Sequence, residues 1–186
     1  MMIHKDKLYA GYVAKAKEIG EKLGELNQKI RNGETVEGNQ TYSEIRALKD
    51  AATFAQNGVN LHEWYFSVLE GDADSSKAPE LSAALTEAWG SVENFQKYMT
   101  AAAMAARGWA ILAWNPMVAQ LRQYNADAHN QGGVWGCIPV IVLDVYEHAY
   151  FIDYGADRKA YIADFWKTFD WAAAEAMYLK VRGIEL

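Results

Sequence analysis

Apolar residues at helical intervals open the chain. Leu8, Tyr12, Ile19, Leu23, Leu26 and Ile30 fall on one stripe with charges between them, which predicts a helix over residues 2–31. Asn32-Gly33 closes it, and Gly38-Asn39 marks a loop. Thr41 and Glu44 have the Ser/Thr-x-x-Glu spacing of a capping box, so a second helix is expected over 41–69. A polar linker, Gly71-Asp-Ala-Asp-Ser-Ser, follows it. This part reads as a long antiparallel helical hairpin.

The pattern then changes. Residues 79–89 and 91–106 read as helices, 109–114, 118–124 and 138–143 as strands, and 146–169 and 171–181 as helices again. Strands in succession, bracketed by helices, point to an α+β fold. The division expected is an N-terminal α-hairpin domain over 1–72 and a C-terminal domain over 73–186. The latter would hold a three-stranded antiparallel sheet surrounded by helices. No internal repeat or low-complexity segment is apparent.

Composition narrows the function classes. The chain has 186 residues, 51% of them hydrophobic and 13% aromatic, enough for a substantial core. A net charge of -6 argues against a non-specific nucleic-acid binder. No apolar run approaches the roughly 18–20 residues of a membrane span, and the start lacks a signal-peptide pattern. Cys137 is the only cysteine, so no intrachain disulfide can form. A cytoplasmic protein with neither nucleic-acid nor membrane partners is expected.

The candidate chemistry gathers around Asp144-Val-Tyr-Glu-His-Ala-Tyr150, directly after the apolar run 138–143. Asp144 and His148 stand four residues apart, and the other histidines are His4, His62 and His129. A hairpin brings the start of its first helix near the end of its second, so His4 and His62 can face each other. Asp144 and His148 would approach from the second domain. Three imidazoles and a carboxylate suit iron, manganese or zinc. Taken singly, each feature has a bland reading. A lone helical histidine is usually a surface or satisfied core residue, and an Asp-x-x-x-His pair is common by chance. An iron oxygenase with two histidines and one carboxylate is the competing metal reading; the third histidine argues against it.

Taken together, these segments resemble the iron/manganese superoxide dismutase family over almost the whole chain. Asp144-Val-Tyr-Glu-His-Ala-Tyr150 is similar to its Asp-x-Trp-Glu-His-Ala-Tyr signature. Asp153-Tyr-Gly-Ala-Asp-Arg-Lys-Ala-Tyr161, Phe165-Trp166, Trp171 and Gly108-Trp109 match further family positions. The resemblance implies His4, His62, Asp144 and His148 as metal ligands and Tyr12 as the gateway tyrosine of the substrate channel. His129 falls where one branch of the family, before its third strand, places a histidine that hydrogen-bonds the metal-bound solvent; Gln131 fits that role less well. Lys7 and Arg158 match positions near the substrate funnel. The activity implied is conversion of two superoxide anions to oxygen and hydrogen peroxide, cycling a mononuclear iron or manganese between +3 and +2. Val142 and His129 tilt the expectation to iron, with use of either metal allowed. A homodimer linked through Glu147 and His148 is implied as well.

Several residues depart from the family pattern. Leu61 replaces an asparagine, Leu8 a histidine and Phe151 a tyrosine, while Phe66, Tyr146 and Ile111 replace other aromatics. Such changes leave room for an alternative, a metal-binding relative with weak or altered redox activity. Leu8 and the partner's Phe151 are expected to exchange a polar cross-dimer link for an apolar contact.

Overall fold

A computed structural model of the protein describes residues 3–184, so Met2, where the first helix was expected to begin, lies outside the described residues. The chain groups into two compact units, Met1–Leu61 and His62–Leu186.

In the first unit a π-helical stretch, His4–Tyr9, leads into α1, Ala10–Arg31. The wider turn was not anticipated, since helical periodicity in a sequence does not separate the two hydrogen-bond patterns. Gly33, at φ 83°, follows the end of α1 in the left-handed conformation that glycine adopts at least cost. The second helix, α2, is Glu44–Ser67, and the unit boundary falls within it. Its cap is Ser43 rather than Thr41: Ser43 Oγ accepts from the Arg46 N–H at 3.3 Å. Thr41 is drawn instead into a turn, its N–H donating to Asn39 Oδ1 at 2.8 Å.

In the second unit, residues read as linker include a single 3-10 turn, Ser75–Lys77. Then come α3, Pro79–Trp89, and α4, Val92–Ala105. Ala78 cannot cap α3, and Glu175 does so from a distance. Its buried carboxylate accepts from the N–H groups of Glu80 at 3.0 Å and Leu81 at 2.7 Å.

The strands are β1, Trp109–Asn115, β2, Gln120–Ala126, and β3, Ile138–Asp144, antiparallel in the order β2-β1-β3. β2 starts later than the sequence suggests because residues 116–119 form the turn, with Ala119 at φ 49°. Pro139 cannot donate to a ladder, and it sits on an edge strand beside a register shift at Leu112/Ala113.

The helix expected over 146–169 is two helices, α5, Glu147–Tyr154, and α6, Arg158–Lys167. Gly155 turns the chain at φ 57°, and Asp157 restarts it by accepting from the Ala160 N–H at 2.9 Å. The last helix, α7, is Trp171–Val181, as expected. The fold is therefore α+β, with a helical pair before a sheet and its helices. Among the described residues no helix is long and apolar enough to cross a membrane.

Candidate metal centre

Strand pairing fixes the first group. The β1–β3 register sets Asp144 opposite Trp109, and the Val145 N–H donates to the Gly108 carbonyl at 2.8 Å. Gly108 has a local reason to be glycine: a Cβ there would lie 2.8 Å from the Ala126 carbonyl and 2.9 Å from the Tyr146 ring. Asp144 is fully buried at the end of β3. Its two carboxylate oxygens have different tasks. Oδ1 accepts the Tyr146 N–H at 2.9 Å, an Asx turn that starts α5. Oδ2 faces two imidazoles, His148 Nε2 at 3.2 Å and His62 Nε2 at 3.7 Å. The Asp144 backbone carbonyl is also held, accepting the Tyr161 hydroxyl at 2.7 Å.

Each imidazole is braced by rings. His148, on the first turn of α5, stacks on Tyr146 at 5.3 Å and 12°. Tyr146 thus keeps an aromatic face against His148, despite its departure from the family pattern. His62, on α2, is wholly buried, with Trp109 edge-on at 5.0 Å and Phe66 at 5.9 Å. Two imidazole nitrogens converging on one oxygen of a fully buried carboxylate suit a positive centre between them. The ligand atoms of His62, Asp144 and His148 lie within 4.8 Å of one another, and this donor set fits one ion of iron or manganese.

His129 lies in the connection between β2 and β3 and is buried, its ring 5.8 Å from that of His62. The Trp109 indole N–H donates to His129 Nδ1 at 3.0 Å. An accepting Nδ1 leaves the proton of the neutral ring on Nε2, making that nitrogen a donor. Burial, reinforced by the neighbouring His62, pushes the His129 pKa down to about 4, so the ring is neutral at pH 7. Gln131, by contrast, is exposed.

The remaining predicted residues lie as follows. His4, in the π-helical stretch, is buried at 5% exposure. Tyr12, on α1, is half-buried with its ring 6.1 Å from Phe54. Lys7 is exposed. Arg158 donates to the Tyr150 hydroxyl at 3.2 Å and the Ala106 carbonyl at 2.8 Å. Two participants carried no local sequence signal: Trp109 as the donor to His129, and Tyr161 as the donor to Asp144. Both depend on the sheet register and the α6 position.

Comparison with known proteins finds relatives over most of the chain. Residues 77–177 match the family model described as iron/manganese superoxide dismutases, C-terminal domain. A superoxide dismutase [Fe] of Aquifex pyrophilus is 40% identical over 177 residues, covering 95% of this chain and 81% of the relative. The chain belongs to the iron/manganese superoxide dismutase family. A superoxide dismutase [Fe] of Aquifex aeolicus is also 40% identical, over 95% of this chain and 81% of its own. Superoxide dismutase [Mn] 2 of Halobacterium salinarum is 34% identical over 75% of this chain and 74% of its own. As a family member the chain is an oxidoreductase that dismutates superoxide, and the His/Asp cluster could hold one iron or manganese ion.

Proposed function

We propose that His62, Asp144, His148 and His4 are the four protein ligands of one metal ion, with Asp144 binding through Oδ2. The observation that carries this is the convergence of the His62 and His148 Nε2 atoms on that one buried oxygen. Residue type and burial support His4 as the fourth ligand. When bound, the ion supplies one-electron exchange with superoxide between its +3 and +2 states.

The chain's own residues then divide the work. His129 holds a proton on Nε2, left there by the Trp109 bond to Nδ1, and would donate that hydrogen bond to solvent held at the site. Tyr12 is the gateway tyrosine of the substrate channel. Ring packing by Trp109 and Phe66 keeps bulk water from the His62 imidazole. Iron is the preferred metal: Val142, buried two residues before Asp144, is not glycine, and the two relatives at 40% identity are named as iron enzymes.

The protein acts as a cytoplasmic homodimer, a reading supported by its lone cysteine and by α5. There Glu147 is exposed, and Phe151 and Ile152 stand 60% and 70% exposed in the single chain. Metal analysis and superoxide consumption, measured after separate reconstitution with iron and manganese, test the proposal. About one ion per chain and faster turnover with iron are expected. Absent metal or absent turnover would refute the site, and faster turnover with manganese would refute the preference.

A further inference from the structure

Tyr161 touches the proposed metal ligand Asp144 and opens onto three other phenols. Its hydroxyl donates to the Asp144 carbonyl at 2.7 Å and lies 3.0 Å from the Tyr65 hydroxyl. Its ring stacks on Tyr150 at 5.3 Å and meets Tyr154 edge-on at 5.8 Å. All four aromatic groups belong to the second unit.

The surroundings of these phenols differ in one decisive respect. A phenol gives up an electron readily only if its proton has somewhere to go. Tyr65 is buried, with its hydroxyl against that of Tyr161 and its ring stacked on Phe165. Tyr150 is buried with its hydroxyl accepting from the Arg158 guanidinium, and that positive charge opposes oxidation. Tyr154 donates to a carboxylate, Asp164 Oδ2 at 3.0 Å, and it is only half-buried. Lys167 holds the Asp164 carboxyl below its usual range, so it is ionised and able to accept a proton.

We propose that Tyr161, Tyr154 and Asp164 form an exit route for oxidising equivalents, with Tyr154 the phenol that is oxidised when the metal-loaded site meets hydrogen peroxide. The inference rests on the ligand assignment above, and the oxidant is a product of the protein's own activity. The Tyr154 electron travels through Tyr161 to the site, and its O–H bond breaks as the proton passes to Asp164. Each event leaves one neutral phenoxyl radical. One hydrogen peroxide takes two electrons, one from Tyr154 and one from the metal as it passes from its +2 to its +3 state. The two protons it needs come from solvent, to which Asp164 returns the one it received, and two waters result. The route draws damage away from the buried imidazoles to a residue at the surface.

The test uses the full-length, iron-loaded protein, first shown to contain metal and consume superoxide, then treated with hydrogen peroxide and freeze-quenched. Electron paramagnetic resonance should show a tyrosyl radical, and peptide mass mapping should place the oxidation at Tyr154. Tyr154→Phe should lose the signal, and Asp164→Asn should strongly reduce it while keeping the phenol. Both variants should retain metal and superoxide consumption, and peroxide should inactivate both faster. A signal unchanged in the variants, or oxidation mapped to Tyr150, Tyr65 or Trp166 in the parent protein, would overturn the proposal. So would an equal signal from metal-free protein, which would mean direct attack on the half-buried phenol. Failure of the ligand assignment shows separately, as absent metal or absent superoxide consumption before peroxide is added, and it removes this inference with it.

Discussion

The two units bury their side chains very differently. Along α1 only Ile19 and Leu26 are buried, while Val13 is 42% exposed and Ile30 55%. In the second unit Leu81, Phe95, Trp109, Ile141, Leu143, Ile162 and Phe169 are all fully buried. Both regions show clean hydrophobic periodicity in the sequence. Periodicity identifies the face an element would bury, but not how much material is there to cover it. The consequence falls on the proposed metal centre. Three of its side chains stand on elements of the well-packed unit, and His4 stands on a segment with little buried surface of its own.

The contrast can be attacked at several strengths. The largest effect is expected at Asp144, where Asp144→Ala removes both the carboxylate and the acceptor that starts α5. Metal content and superoxide consumption should fall to the level of metal-free protein; retained activity would break the assignment. Next comes His129→Ala, which leaves the proposed ligands in place. It should lower activity by roughly 10–100-fold with metal still bound, the range typical when a ligand's hydrogen-bonding partner is lost.

A third pair compares the units directly. Ile162→Ala, at a fully buried position on α6, should cost about 2–5 kcal/mol in urea denaturation. Ile30→Ala, at an exposed position on α1, should change stability by about 0.5 kcal/mol or less. Equal costs would mean that the first unit is as well packed as the second.

The smallest effect is in pH dependence. The pKa of His129 is pushed down to about 4, from 6.5 in the unfolded chain. Between those values the unfolded chain binds the extra proton, so the contribution is fully present above about pH 6.5 and is lost as pH falls towards 4. Metal-free protein should therefore lose roughly 1–3 kcal/mol more than a His129→Gln variant between neutral pH and pH 4. Parallel pH profiles would contradict the burial argument.

How much was legible in the sequence followed the range of the interactions involved. α7 begins at Trp171 as expected because its cap is local, with Asp170 Oδ1 accepting from the Ala173 N–H at 3.0 Å. α4 behaves alike, with Ser91 as its cap. The break at Gly155 was missed because apolar residues keep helical spacing on both sides of it; the glycine and the Asp157 cap were the signals to weigh. Thr41 fitted the capping spacing, yet the Asn39 turn claims its N–H and passes the cap to Ser43. In the site, the Asp144 and His148 pair was readable from one short segment, and His62 and His129 from residue type and the family resemblance. The bonds from Trp109 to His129 and from Tyr161 to Asp144 were not, since they join residues 20 and 17 positions apart through sheet pairing and helix placement.

The central claim is that a single iron or manganese ion sits against the Oδ2 atom of Asp144. Anomalous diffraction from crystals of iron-loaded protein, recorded on either side of the iron absorption edge, tests it most directly. The prediction is one edge-dependent peak per chain at bonding distance from Asp144 Oδ2 and from the imidazoles of His4, His62 and His148. A peak elsewhere, or none in protein that retains iron and consumes superoxide, would contradict it.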